Sequence, residues 1–280
     1  MVAAAADPLF AGAARRFFVR CLWDDAALLS EAQPRLDDEV VEQLDRQPGA
    51  DPWLVHVVTG LHFAHKALLA ARQDPQVEQW LRTASERLQK AHELCPEFPE
   101  AAAGMVLVST LQRSADPGPR AWFDRALDAQ VDCRPAFRSL LRFFHPRSGG
   151  SAAHMYHFAE ECLATARFDT EVPMWFPWVL DVMGTLDDDP RRLWAAPEVA
   201  DGMERWAKGY LATDGKVVPH EFVRIGRCLA AWAGGRYDDA LAAFAACGQK
   251  IDPVWLTILH VDDPDLPEFD LHKLGAPRPK

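Results

Sequence analysis

Four histidines, three arginines and two tryptophans are the residues of this 280-residue chain whose types and spacing reach toward chemistry. His62 and His65 stand three apart, as do His154 and His157, so on a helix each pair shares one face. Glu160 and Glu161 add a carboxylate beside the second pair. A zinc or di-iron site needs three or more convergent ligands, and di-iron bundles favour Glu-x-x-His. His157-x-x-Glu160 runs in the reverse order and no HExxH occurs, so the expectation is no metal and no cofactor. Arg138 and Arg142 lie four apart and share a helical face. With Arg147, His154 and His157 they form a candidate polar patch for a binding partner. Trp175 and Trp178 crowd beside Pro173 and Pro177, either as a recognition pocket or as the seal of a packed junction.

Nucleophilic chemistry finds little support. There is no GxSxG elbow, and no strand to carry one. Cys21, Cys95, Cys133, Cys162, Cys228 and Cys247 are scattered without a CxxC. Most sit in apolar helical contexts, which reads as buried free thiols of a cytosolic protein. The turn Gly149-Gly150-Ser151 opens a helix, where backbone N–H groups could meet an anion. It lacks the lysine and the preceding strand of a phosphate loop, so turn and helix cap is the simpler reading.

The composition restricts the partners. Thirty Lys and Arg against 41 Asp and Glu give a net charge of -11, a field that opposes nucleic acids and anionic membranes and favours a basic or neutral partner. No run of about 18 uncharged apolar residues offers a membrane span. The alanines at 3–6 lack the basic start and apolar core of a secretory signal. A cytoplasmic protein is expected.

The elements that would position these residues are helical. Alanine is abundant and period-two alternation is scarce. Leu88, Phe123 and Phe158 fall 35 residues apart, each in what reads as the second helix of a hairpin. Helices are expected over Pro8–Ala32, Asp37–Arg46, a segment opened by Asp51-Pro52 and running to Arg72, and Gln76–Leu94. They continue over Pro99–Leu111, a helix to Ala129, Pro135–Phe144, and one capped by Ser151 and running to Ala166. Residues 171–216 loosen the period, with one longer helix over Pro197–Leu211. The last hairpin spans Glu221–Ala233 and Arg236–Cys247, followed by a short cap carrying Trp255, Leu256 and Leu259.

The run Gly235, Tyr237, Ala240, Phe244 and Cys247, followed by Pro253, resembles the second half of a tetratricopeptide repeat. Ala84-x3-Leu88-x2-Ala91-x4-Pro96 and Phe123-x2-Ala126 resemble it too, while the first helices lack the usual tryptophan, leucine and glycine positions. The stretch Phe144 to Ser151, with Met155, Phe158 and Ala159, is similar to a segment of bacterial tetratricopeptide-like proteins that have no assigned activity. The resemblance implies an all-α, right-handed superhelical solenoid of about six hairpins. In that scheme residues 1–260 form a single repeat domain. It divides into an N-terminal capping hairpin (1–50), regular hairpins (51–170), an irregular section (171–216) and the last hairpin with its cap (217–260). Residues 261–280 form an acidic, proline-rich tail.

The expected function is a non-catalytic scaffold that binds a protein or peptide on its concave face. Two alternatives stand beside it. One is an all-helical enzyme or small-ligand or metal-binding protein near the histidine pairs and Trp175/Trp178. The other is a structural homo-oligomer, a homodimer being the simplest form.

Overall fold

Proline placement sets where many of the helices begin. Pro52, Pro99, Pro119 and Pro197 each occupy the first turn of a helix, where the missing N–H costs nothing and the fixed φ suits the helix. The computed structural model describes residues 38–46, 50–70, 74–113, 116–186 and 190–246. The expected helix over 8–32, Cys21, Cys247, the cap after 253 and the tail from 261 lie outside the described residues.

The chain divides into two compact units, the division falling between Phe144 and His145. The first contains α1 (Asp38–Asp45), α2 (Pro52–Leu69), α3 (Val77–Leu94), α4 (Pro99–Gln112), α5 (Pro119–Ala129) and α6 (Arg134–Phe144). Neighbours in sequence pair as hairpins, α2 with α3 and α4 with α5. The first helices also follow one another, α2 packing on α4 and α4 on α6.

Leu88 is the knob at the centre of this unit. It is fully buried and rests on two glycines: a Cβ at Gly60 of α2 would lie 2.6 Å from Leu88 Cγ, and one at Gly104 of α4 would lie 2.9 Å from Leu88 Cδ1. Neither helix tolerates a side chain there. Ala84 and Ala91, one turn away on α3, are buried as well. Phe123 of α5 meets Phe137 of α6 edge-on, with centroids 4.9 Å apart. The spacing that marks Leu88, Phe123 and Phe158 is thus a packing period, since all three are buried.

Helix α4 has a different character. Every residue from Ala101 to Thr110 is buried, as expected of a helix apolar on all sides. The middle of this first helix therefore offers no surface to a ligand. Thr110 returns its hydroxyl to Val106 O at 2.8 Å.

The second unit begins with a 3-10 turn (Pro146–Ser148) and α7 (Ala152–Ala164). A second 3-10 turn (Val172–Met174) leads into α8 (Trp175–Gly184), α9 (Pro190–Ala195), α10 (Pro197–Leu211), α11 (His220–Ala233) and α12 (Tyr237–Ala246). The section expected to be irregular is largely helical, but its helices have 10, 6 and 15 residues. Unequal lengths are why no constant period appears there. Helix α8 packs on α7 and α10, and α9 on α10 and α11. Glycine again receives the large side chains. A Cβ at Gly202 or Gly209 of α10 would run into the rings of Phe176 and Phe168. Tyr210 donates its hydroxyl to Thr170 O at 2.8 Å. Arg236 donates to Trp194 O at 3.1 Å, tying the end of α9 to the α11–α12 turn.

That turn uses Gly235 at φ 73°, a left-handed conformation that favours glycine. Ala240 and Phe244 of α12 are buried against α11 as the sequence implied, whereas Tyr237 stays 53% exposed. Together the units form an all-α fold with repeated hairpin-like pairing, and no described helix is long and apolar enough to cross a membrane.

Candidate functional site

The histidine pair on α2 is an interior feature. Residues 54–64 of α2 are mostly buried, so the face carrying His62 and His65 is drawn inward. His62 is 9% exposed, and its ring meets Phe63 edge-on at 5.2 Å. His65 is half-buried, and burial, with smaller contributions from the charges of His62 and Arg142, lowers its pKa from 6.5 to about 4. It is neutral at pH 7.

The charge of Arg142 is thus felt at His65, an influence that no local spacing announces. Its helix, α6, buries Ala136, Phe137 and Leu140 and turns Arg138 and Arg142 outward, both exposed. Although Arg142 reaches solvent, the protein crowding its guanidinium lowers its pKa, and burial is the cause. Arg134, one turn before Arg138, lies half-buried on the same side. The spacing 134, 138, 142 was legible in the sequence, and Arg134 belongs to the row although the sequence patch began at Arg138.

The other candidates belong to the second unit. Arg147 is exposed, and its backbone N–H bonds to His145 Nδ1 at 3.1 Å within the 3-10 turn. Gly149 N–H donates to Pro146 O at 2.9 Å and Gly150 N–H to His145 O at 3.2 Å. Those amides close the turn, so the turn-and-cap reading explains them. Ser151 Oγ accepts from His154 N at 3.2 Å, which makes Ser151 the N-cap of α7. His154 is exposed. His157 is 77% exposed and stands 3.4 Å from Glu161 Oε1, a solvated pair one turn apart. Glu160 turns elsewhere, to α10. Among the described residues no three His, Cys, Asp or Glu side chains group as metal ligands.

Trp175 and Trp178 meet edge-on, centroids 5.1 Å apart and planes at 90°. Trp175 is 4% exposed and Trp178 half-buried. They lie on the first turns of α8 and pack against each other within the second unit.

The strongest polar constellation of the second unit escaped the sequence. Arg205 of α10 donates to both oxygens of Glu160 on α7, at 3.0 and 2.9 Å, and to Asp201 at 2.9 Å. Tyr156 donates to Glu160 at 3.2 Å. Burial first, and the Glu160 carboxylate second, push the Tyr156 phenol up to about 12. Arg227 of α11 reaches Glu204 of α10 at 2.7 Å. These groups satisfy one another and fasten α7, α10 and α11.

Cys95, Cys133, Cys162 and Cys228 are free thiols, the last three buried. Burial, with a hydrogen bond from Cys95 to Glu97 and nearby carboxylates, raises Cys95 to about 11, the opposite of what a nucleophile needs.

Fold and site together define an all-α protein of paired helices with an arginine-bearing helix face. No protein-family model matches the chain, and neither a curated protein nor a solved structure matches it.

Proposed function

We propose that this chain is a non-catalytic scaffold of tetratricopeptide-like repeats, wound as a right-handed superhelix, that binds a protein or peptide. The observation that carries this reading is the sequential packing of the first helices α2, α4 and α6, with exposed arginines on the last of them. In repeat proteins the first helices line the binding surface. Because α4 is buried through its middle, the binding surface is assigned to α6 and its surroundings. A neutral His65, a solvated His157, a Cys95 thiol held protonated and arginines on a helix face suit recognition better than bond-making.

The test is affinity purification of the tagged protein from its own host, in parallel with Arg142→Gln, followed by calorimetry with the purified partner. A partner that binds the native protein directly and binds the variant more weakly supports the reading. Equal binding of the two removes Arg142 from it, and the absence of any direct binder counts against the scaffold itself.

A further inference from the structure

His92 stands in the last turn of α3 and Trp122 on α5, so the second helices of two successive hairpins meet through these rings. Their centroids lie 5.5 Å apart and their planes cross at 80°. Trp122 is 4% exposed and His92 half-buried. Arg125, exposed on α5, lays its guanidinium over the Trp122 ring at 4.3 Å. His92 Nδ1 and Trp122 Nε1 are both buried, and no group among the described residues bonds to either.

We infer that His92 is an acid-sensitive latch between α3 and α5, closed while its imidazole is neutral and loosened when a proton arrives. With its proton on Nε2, the neutral ring leaves Nδ1 as a bare lone pair. The imidazolium carries N–H on both nitrogens. Protonation therefore creates a buried donor at Nδ1 with no protein acceptor, and a second positive charge beside Arg125. An imidazolium ordinarily gains from an indole face and from the C-terminal end of a helix. Here Arg125 already lies on the indole, and the pKa of His92 is lowered from 6.5, by burial first and by the charge of Arg125 second.

The other charges nearby do not undo this. Glu93, the next residue of α3, pulls the other way, but it is exposed and engaged by Lys90 at 2.9 Å. On α4 the run Ala101–Thr110 carries no charge, and Glu100 acts on Cys95. On α2, Lys66 lies over Trp80, His56 meets Arg87, and the charge of His62 acts on His65. A folded pKa below the unfolded 6.5 fixes the sign. The stabilisation by neutral His92 is complete above pH 6.5 and is lost as pH falls through the folded value. This device is separate from partner binding and stands whether or not the chain is a scaffold.

The experiment is an NMR titration of the full chain from about pH 8 to about pH 4. The His92 ring signals are followed together with the fluorine resonance of 5-fluorotryptophan at position 122, assigned by its loss in Trp122→Phe. The fluorine shift difference between H2O and D2O reports exposure of that ring. His92 is expected to titrate below 6.5 and above His65, whose value is about 4. The Trp122 resonance should move with the same midpoint as His92, and its solvent-isotope shift should rise as the latch loosens. Arg125→Gln should raise the midpoint toward 6.5, and His92→Gln should leave the Trp122 resonance flat, both with unchanged circular dichroism. The inference is overturned if His92 titrates at 6.5 or higher, or if the Trp122 resonance follows a different midpoint. It is equally overturned if the isotope shift holds its buried value while His92 titrates. The native protein alone decides these outcomes, so they stand even where a variant fails to fold.

Discussion

Arg142 and Arg205 are both exposed arginines on amphipathic helices, one in each unit, and their surroundings act on them in opposite directions. Arg205 is held by Glu160 and Asp201, and the hydrogen bond to Glu160 raises its pKa. Arg142 is crowded by protein, and burial lowers its pKa. An arginine already engaged by two carboxylates fastens helices. One that is crowded without that compensation gains from an anion brought by another molecule. The difference separates an internal polar clasp from a candidate recognition face, though both read in the sequence as arginines on a helix.

That contrast presumes that apolar packing, and not either arginine, holds the units together. Leu88→Ala tests it with the largest expected effect. A fully buried leucine seated on Gly60 and Gly104 loses transfer energy and leaves a cavity, costing about 2–5 kcal/mol. Urea unfolding measures it. A loss below about 1 kcal/mol would mean that the α2–α3–α4 interior is not the foundation of the first unit.

The next effect is a pH dependence confined to the neighbourhood of Arg142. Folded His65 titrates near 4 and its unperturbed value is 6.5, so between those limits the unfolded chain binds a proton that the folded one refuses. Stability from this group is complete above pH 6.5, falls as pH drops, and is fully lost below pH 4. At about 1.4 kcal/mol per pKa unit, the loss from pH 6.5 to 5 is about 2 kcal/mol. His65→Gln should flatten that part of the stability profile. His157→Gln on the exposed face of α7 should not, and equal flattening by both variants would erase the contrast between the two histidine pairs.

Arg205→Gln comes third. Its side chain is 45% exposed and that of Glu160 27%, so solvent screening keeps the pair near the surface range, about 0.5–1 kcal/mol even with two-pronged geometry. The loss should shrink in high salt. If raising the salt leaves the difference between Arg205→Gln and the native protein unchanged, the clasp acts through packing of the arginine stem rather than charge.

What could be read from sequence follows the range over which each interaction acts. Prolines at 52, 99, 119 and 197 mark helix starts because the constraint is local to one turn. Ser151 is legible as a cap for the same reason. Leu88, Phe123 and Phe158 are legible because hairpins of similar length bury the same position each time. Residues 171–216 defeat that logic, since helices of 10, 6 and 15 residues carry no shared phase. The burial of α4 was available in the run Ala101–Thr110, which offers no charged residue to face water. The links from His65 to Arg142 and from Glu160 to Arg205 were not available. The latter spans 45 positions, and only the packing of the helices brings such residues together. For the candidate site, spacing shows the arginine row, while the histidine beside it appears only in three dimensions.

The smallest expected effect discriminates best between the two arginines. If Arg142 were a second clasp, Arg142→Gln would destabilise the fold as Arg205→Gln does. If it is a recognition residue, removing it relieves a charge from crowded surroundings and breaks no carboxylate pair among the described residues. The expected change is then within about 0.5 kcal/mol of zero, with any shift toward greater stability. Parallel urea titrations of Arg142→Gln, Arg205→Gln and the native protein give the answer directly. A loss at Arg142 equal to that at Arg205 would place the residue in the internal architecture, and the arginine face of α6 would lose its claim to be held in readiness for a partner. Stability preserved at Arg142 while partner binding falls would separate the roles, because a residue kept for folding does not leave the fold unchanged when it is removed.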